Sequence, residues 1–402
     1  MNTTLVSFLG KNAANKSTGY RCARYRFADG WELETPFFGL ALARKFQPEC
    51  IVILGTSSSM WDMLIGYFSP ENEDLWEKLM EAAQAGQVTD TLLAQAQPIV
   101  ESHLNCTVIL RIIPFGRDAS EQTAILQTIG EVVPKTNSKV VLDITHGFRH
   151  LAALGLLSAF FIERVANIEV GGLYYGALDM TTEGITPVVQ LDGLLTVERW
   201  IDALNRFDQS GDYGIFSPLL QAAGIPADKA RCLEDAAFHE RTFNLSDAAR
   251  KLGTVLPLLD HLQGPGELFK DNLLKRLAWA RAGTLFDHQK TLALIYLGRK
   301  DFVRATVFGW EAFVTRECTN RGLNPNDFNG GRDKALELLK SEHEPDHFTG
   351  RTYPTYKTLK NLRNALAHGT PPKTKEIKRL MLNPVDMAQA LTNCFTELFE
   401  KT

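Results

Sequence analysis

The chain has 402 residues, too many for one ordinary domain and enough for two or three that each bury a core. Its formal net charge is −4, with 45% apolar and 22% charged residues, the balance of a soluble globular protein and not of one that coats nucleic acid indiscriminately. No stretch reaches the roughly 18 to 20 uninterrupted apolar residues of a membrane span, and the N-terminus shows no secretory leader pattern. The cysteines Cys22, Cys50, Cys106, Cys232, Cys318 and Cys394 form no C-x-x-C pair. A cytoplasmic protein with reduced thiols, no membrane contact and no metal site is therefore expected.

In the first half, short apolar runs alternate with helical stretches. The runs predict strands at Leu5–Leu9, Ile51–Leu54, Thr107–Ile112, Val140–Ile144 and Val170–Tyr175, in a mostly parallel sheet with helices on both faces. Leu151–Ile162, bounded by His150 and Glu163, reads as a buried helix. Three strands end in small or polar residues: Gly10-Lys11-Asn12, Gly55-Thr56-Ser57-Ser58-Ser59 and Thr145-His146-Gly147. In such a sheet ligands bind outside the carboxyl ends of the strands, so these loops are the first candidate site. Val140 to His150 runs from a buried strand through a tight turn into an apolar helix, an arrangement suited to an anion at the helix start. Arg149 can hold a phosphate, and Thr145 and His146 can meet a ribose or base edge. Thr145 fits equally as a helix cap, and Arg149 as a solvated first-turn side chain.

Beyond about Asp192 the strand-like runs stop and helical spacing broken by Gly and Pro takes over. The pattern divides the chain into residues 1–195, 196–285 and 286–402, the last opening with a long helical pair between Thr291 and Glu317. Leu359, Leu362 and Leu366 predict a helix over Tyr356–His368 with one buried stripe, stopped by Gly369 and Pro371-Pro372. Four-residue spacing puts Asn364 and His368 on one face, with Arg363 on the adjacent ridge. A permanent cation, an amide and an imidazole together suit RNA phosphodiester cleavage, where a proton must move and phosphoryl charge must be held. The surrounding segment Arg351 to Leu380 is basic: Arg351, Lys357, Lys360, Arg363, Lys373, Lys375, Lys378 and Arg379 stand against one acid, Glu376. His343 and His347 stand four apart beside acidic residues, but Pro345 between them makes a surface loop the better reading than a metal site. Neither a dinucleotide fingerprint nor a P-loop follows any strand.

Arg363-Asn364-Ala365-Leu366-Ala367-His368 resembles the signature of HEPN ribonucleases. The resemblance implies an all-α domain that dimerises so that two such motifs form one metal-independent site. It makes Arg363 and His368 catalytic and Asn364 a polar auxiliary, and it implies products ending in a 2′,3′-cyclic phosphate. Asp143-Ile144-Thr145-His146-Gly147-Phe148-Arg149 resembles the strand-end motif of CARF domains, the Rossmann-like sensors of CRISPR-associated proteins, and Gly10-Lys11-Asn12 corresponds to their other ligand loop. Gly55, Thr56, Ser57 and Ser58 join that ligand set. An α/β CARF-like start, an all-α middle and a HEPN-like end resemble the ancillary ribonucleases of type III CRISPR systems. The resemblance implies a homodimer, with higher assemblies left open, that cuts single-stranded RNA. It carries no cofactor and is activated by cyclic oligoadenylate, tetra-adenylate being favoured over hexa-adenylate. DNA is not an expected partner. The alternative is a ligand-responsive transcription regulator with a DNA-binding helix-turn-helix in residues 196–285. Whether the amino-terminal domain also degrades its activator stays open.

Overall fold

A computed structural model of the chain describes residues 2–11, 22–133, 138–147, 149–281, 283–342, 352–369, 371–372 and 374–400. It divides into two compact units, Met1–Thr196 and Val197–Thr402. No described helix is long and apolar enough to cross a membrane.

In the first unit the order is β1 (Asn2–Leu9), β2 (Ala23–Arg26), β3 (Glu32–Thr35), α1 (Phe38–Phe46), β4 (Cys50–Gly55), α2 (Asp62–Phe68), α3 (Glu73–Ala85), α4 (Asp90–Leu104), β5 (Thr107–Ile112), α5 (Ala119–Val132), β6 (Ser138–Asp143), α6 (Arg149–Arg164), β7 (Glu169–Gly176) and β8 (Ile185–Gln190). Among the described residues the strands form one sheet, ordered β3-β2-β8-β7-β6-β1-β4-β5. The five strands expected from the apolar runs form one contiguous parallel run, and β2 also pairs parallel with β8. The sheet as a whole is mixed, because β7 pairs antiparallel with β8, and β2 with β3. Every residue of β4 is buried, as a central strand covered on both faces requires. Alternate residues of β1 feed opposite cores: Leu5 and Leu9 pack towards α1–α4, Val6 and Phe8 towards α5 and α6.

The second unit is helical. It opens within α7 (Asp192–Ser210) and continues through α8 (Ser217–Ala222), α9 (Ala227–Arg241), α10 (Leu245–Val255), α11 (Lys270–Arg276), α12 (Leu285–Gly298), α13 (Phe302–Asn320), α14 (Lys334–Ser341), α15 (Thr352–His368), α16 (Lys375–Leu382) and α17 (Pro384–Glu400). One apolar core runs from Trp200 to Phe399. Across residue 285 it is crossed by Phe243 against Phe308 with ring centroids 4.9 Å apart, and by Trp279 against His288. Polar ties cross there too: Tyr296 donates to buried Glu240, and Arg304 donates to the Ser210 carbonyl at 2.7 Å. The helices on either side of residue 285 therefore share one core.

Candidate functional site

Each unit holds a candidate site. In the first, the chain passes from β1 outward through β4 to β5, then returns to place β6 and β7 on the other side of β1. The reversal between β1 and β6 is a topological switch point, and their carboxyl ends leave a crevice there. The loops meet in it. A Cβ on Gly10 would lie 2.5 Å from the Gly147 backbone nitrogen, so only glycine allows the two loops to touch. The loop after β4 is tied in as well: Met60 N–H donates to Gly10 O at 2.9 Å and Ser59 Oγ donates to Leu9 O at 2.6 Å.

The β6 loop is held from below. Ser7 and Asp143 are register partners on β1 and β6, both fully buried on the α1 side, and Ser7 Oγ donates to Asp143 Oδ2 at 2.5 Å. The other carboxylate oxygen accepts from Thr145 N–H at 2.8 Å, closing an Asx turn. Burial pushes the Asp143 carboxyl up to about 6, against the lowering by these hydrogen bonds. Thr145 Oγ1 accepts from Gly176 N–H at 2.7 Å, and His146 Nε2 accepts from Phe38 N–H at 3.1 Å. His146 thus supplies the start of α1 with the acceptor that its own cap residue does not, since Phe37 gives no side-chain cap. Desolvation pushes its imidazole down to about 4, which keeps Nε2 an acceptor.

Of the residues expected to line this site, Gly10, Lys11, Gly55, Thr56, Ser57, Ser58, Thr145, His146 and Gly147 do belong to the three gathered loops. Lys11 and Gly147 are exposed, Ser57 and Ser58 half-buried, and Thr56 buried, with its N–H bonded to Ser59 Oγ. Arg149 opens α6, while Asn12 and Phe148 lie outside the described residues, as do His343 and His347. Sequence reasoning gave no role of their own to Ser7, Asp143, Ser59 and Phe38, although Asp143 and Ser59 stand in the runs it quoted. A visible signal existed for the first two, a serine and an aspartate on apolar strands at positions facing a core.

In the second unit α15 carries Arg363, Asn364 and His368. Tyr356, Leu359, Leu362 and Ala365 form its buried stripe, Ala365 rather than Leu366 completing it, and Gly369 at φ 60° ends the helix. Arg363 Nη1 donates to Asn364 Oδ1 at 3.1 Å and approaches His368 Nε2 at 3.4 Å. With the guanidinium donating, Nε2 is the accepting nitrogen of that contact. His368 is exposed and Arg363 half-buried, with its Nε buried and unpartnered. One helix end thus assembles a fixed cation, an amide and an accessible proton acceptor. Among the described residues no three His, Cys, Asp or Glu side chains gather as metal ligands.

A family model described as the CARF domain of the CRISPR system endoribonuclease Csx1 matches residues 4–179. The CRISPR-associated protein MJ1674 of Methanocaldococcus jannaschii is 25% identical over 412 residues, covering 92% of this chain and 62% of that protein, so the chain spans under two thirds of its relative. Enterococcus italicus Csm6 bound to cyclic hexa-2′-fluoro-hexa-dAMP superposes over 99% of this chain and 94% of that one, with 12% identity and a TM-score of 0.40. Over residues 4–179 the chain thus matches the CARF domain family of Csx1, and over most of its length it is similar to a CRISPR-associated protein.

Proposed function

We propose that the chain is a cyclic oligoadenylate-activated, metal-independent endoribonuclease, with the activator in the crevice at Gly10 and Gly147 and a HEPN-type cutting site at Arg363, Asn364 and His368. The observation that carries the reading is the Arg363–His368 pair: a guanidinium donor and an imidazole nitrogen 3.4 Å apart on an accessible helix end. In the proposed reaction the 2′-hydroxyl of RNA gives its proton to an imidazole and attacks the adjacent phosphorus. The P–O5′ bond breaks, leaving a 2′,3′-cyclic phosphate, and the 5′-oxygen takes a proton from the protonated imidazole of the second chain. Arg363 holds the phosphoryl oxygens as their charge rises. Two chains are required, because one imidazole per chain cannot take one proton and give another in the same event. The exposed Lys11 and the glycine-lined loops suit an anionic ring that must lie close to backbone.

The regulator reading would use α9 and α10, joined at Thr242–Asn244. Both cations of α10 are already engaged, Arg250 by Asp247 at 2.7 Å and Lys251 by Asp235 at 2.5 Å, a poor face for a DNA backbone. RNA cleavage by purified protein in EDTA, with and without cyclic tri-, tetra- and hexa-adenylate, tests the proposal. One of the rings should switch cutting on, and His368→Ala or Arg363→Ala should lower the rate by about 100-fold or more while activator binding persists. Cutting at the wild-type rate by either variant would remove the site assignment.

A further inference from the structure

The helical unit carries a cleft built from none of the residues assigned to the crevice or to the α15 motif. Arg206, Gln209 and Ser210 at the end of α7, Asp212, Arg241 in the last turn of α9 and Arg304 in the first turn of α13 surround a cavity of about 650 Å³. Its floor is fixed. Arg304 donates through Nε to Asp301 Oδ2 at 2.6 Å, through Nη1 to Tyr296 Oη at 3.1 Å and through Nη2 to the Ser210 carbonyl at 2.7 Å, and Tyr296 donates in turn to buried Glu240. Its rim is freer. Arg241 gives one hydrogen bond, from Nη1 to Asp212 Oδ2 at 2.7 Å, and the other oxygen of that carboxylate accepts from Gly214 N–H at 2.9 Å. Among the described residues the Arg206 guanidinium approaches only Asp202, at 3.9 Å, beyond hydrogen-bonding distance, and its side chain is 60% exposed. Three guanidinium groups thus line the cavity with one carboxylate, and that carboxylate already has a donor on each oxygen.

We propose that this cleft is a further anion site, which takes a phosphate-bearing ligand of nucleotide size with Arg206 and Arg241 on its phosphate oxygens. Each part has a physical reason. A guanidinium offers parallel N–H donors that match the oxygens of a phosphate, and Arg241 keeps donors to spare after its one bond to Asp212. The volume sets the size: inorganic phosphate would leave most of the cavity to water, whereas pockets of about 300 to 1,000 Å³ hold small organic ligands. Gln209 is exposed and brings an amide that both donates and accepts, as a ribose hydroxyl or a base edge requires. A cation at a helix C-terminus answers the dipole and accounts for Arg241, and the tie to Tyr296 accounts for Arg304. Neither accounts for Arg206 or for the cavity between them. A free nucleotide and one residue of an RNA strand share this chemistry, and two probes separate them. The cleft owes nothing to the sensor or the nuclease reading, so a chain that never cuts RNA would leave it standing.

Uridine 5′-triphosphate and 2′-O-methyl hexauridylate, each titrated calorimetrically into the full-length chain at low salt, test the site. The methyl groups remove the hydroxyl whose attack would cut the strand. Arg206→Gln and Arg241→Gln should each weaken binding about tenfold, the scale of one lost charge-assisted contact, with the chain still folded by circular dichroism. Arg231→Gln, on the same helix as Arg241 but outside the cleft, should leave the affinity unchanged. Affinity lost for the triphosphate would uphold the site as one for a free nucleotide. Affinity lost for hexauridylate, with no binding of the triphosphate, would uphold it as one that holds a strand. No binding of either probe by the wild-type chain, wild-type affinity for both probes in the two cleft variants, or an equal loss in Arg231→Gln would overturn the proposal.

Discussion

His146 and His368 show how burial separates two residues of one type. His146 is desolvated, neutral down to about pH 4 and committed through Nε2 to the Phe38 N–H, so it braces a loop and cannot exchange protons near neutrality. His368 is exposed beside a guanidinium donor, where a substrate proton can reach it. Glu240 is the strongest case of a buried acid in the second unit. Burial pushes its carboxyl from 4.5 to about 7, although Tyr296 and the guanidinium groups of Arg299 and Arg304 pull it down. The folded state therefore holds this proton more tightly than the unfolded chain does. Its contribution to stability is full below pH 4.5 and is lost as pH rises through about 7. Glu240→Gln should lack that decline. Melting temperature measured against pH should show the variant gaining on wild type across this window, and parallel curves would refute the assignment. At this scale the sequence disclosed Arg363, Asn364 and His368 because helical spacing alone joins them. It hid the Ser7–Asp143 pair because the two residues are 136 positions apart and meet only through strand register.

The strands that the sequence disclosed form the contiguous run β7-β6-β1-β4-β5, in which β1, β4 and β6 are largely buried and β5 at the edge alternates buried and exposed residues. The ones it hid are at one side of the sheet. β2 and β3 carry Arg24 and Arg26 against Glu34 and Glu32, and these cross-strand ion pairs look like loop composition until the hairpin aligns them. β8 contains Pro187, which normally argues against a strand, yet it fits where β2 joins β8. The three candidate loops were legible as strand ends, but their convergence depends on the order of strands, which periodicity does not carry. That convergence is tight enough to test. In Gly10→Ala the new methyl would meet the Gly147 backbone, and two main-chain segments must separate to relieve it. The variant should retain its secondary structure by circular dichroism and bind cyclic tetra-adenylate at least about tenfold more weakly if that ring is the activator, since a distorted cradle costs on the order of one or more lost contacts. Undiminished binding of the activating ring would show that the crevice between β1 and β6 is not the sensor pocket.

For the molecule as a whole, an activator switches cutting only if it binds the active arrangement more tightly than the resting one. With one Arg363 and one His368 per chain, the proposed reaction needs two chains at one composite site. Wild-type chains mixed with an excess of His368→Ala chains should lose activity per wild-type chain once subunits have exchanged, while activator affinity is unchanged. Activity that stays proportional to wild-type chains after exchange, as followed by mass measurement, would mean that each chain cuts alone. The shared core of Val197–Thr402 bears on how such a protein changes over generations. Phe243 lies against Phe308, Trp279 against His288, and Glu240 is bonded to Tyr296, so the helices before and after residue 285 cannot be inherited separately without exposing aromatic surface. The division between the two compact units falls at Thr196–Val197, within α7. A new amino-terminal unit can be joined to this helical unit in one event, whereas a change at the proposed cutting site must arise by substitution within it, with the helices ahead of residue 285 evolving in step with the motif-bearing helix whose core they share.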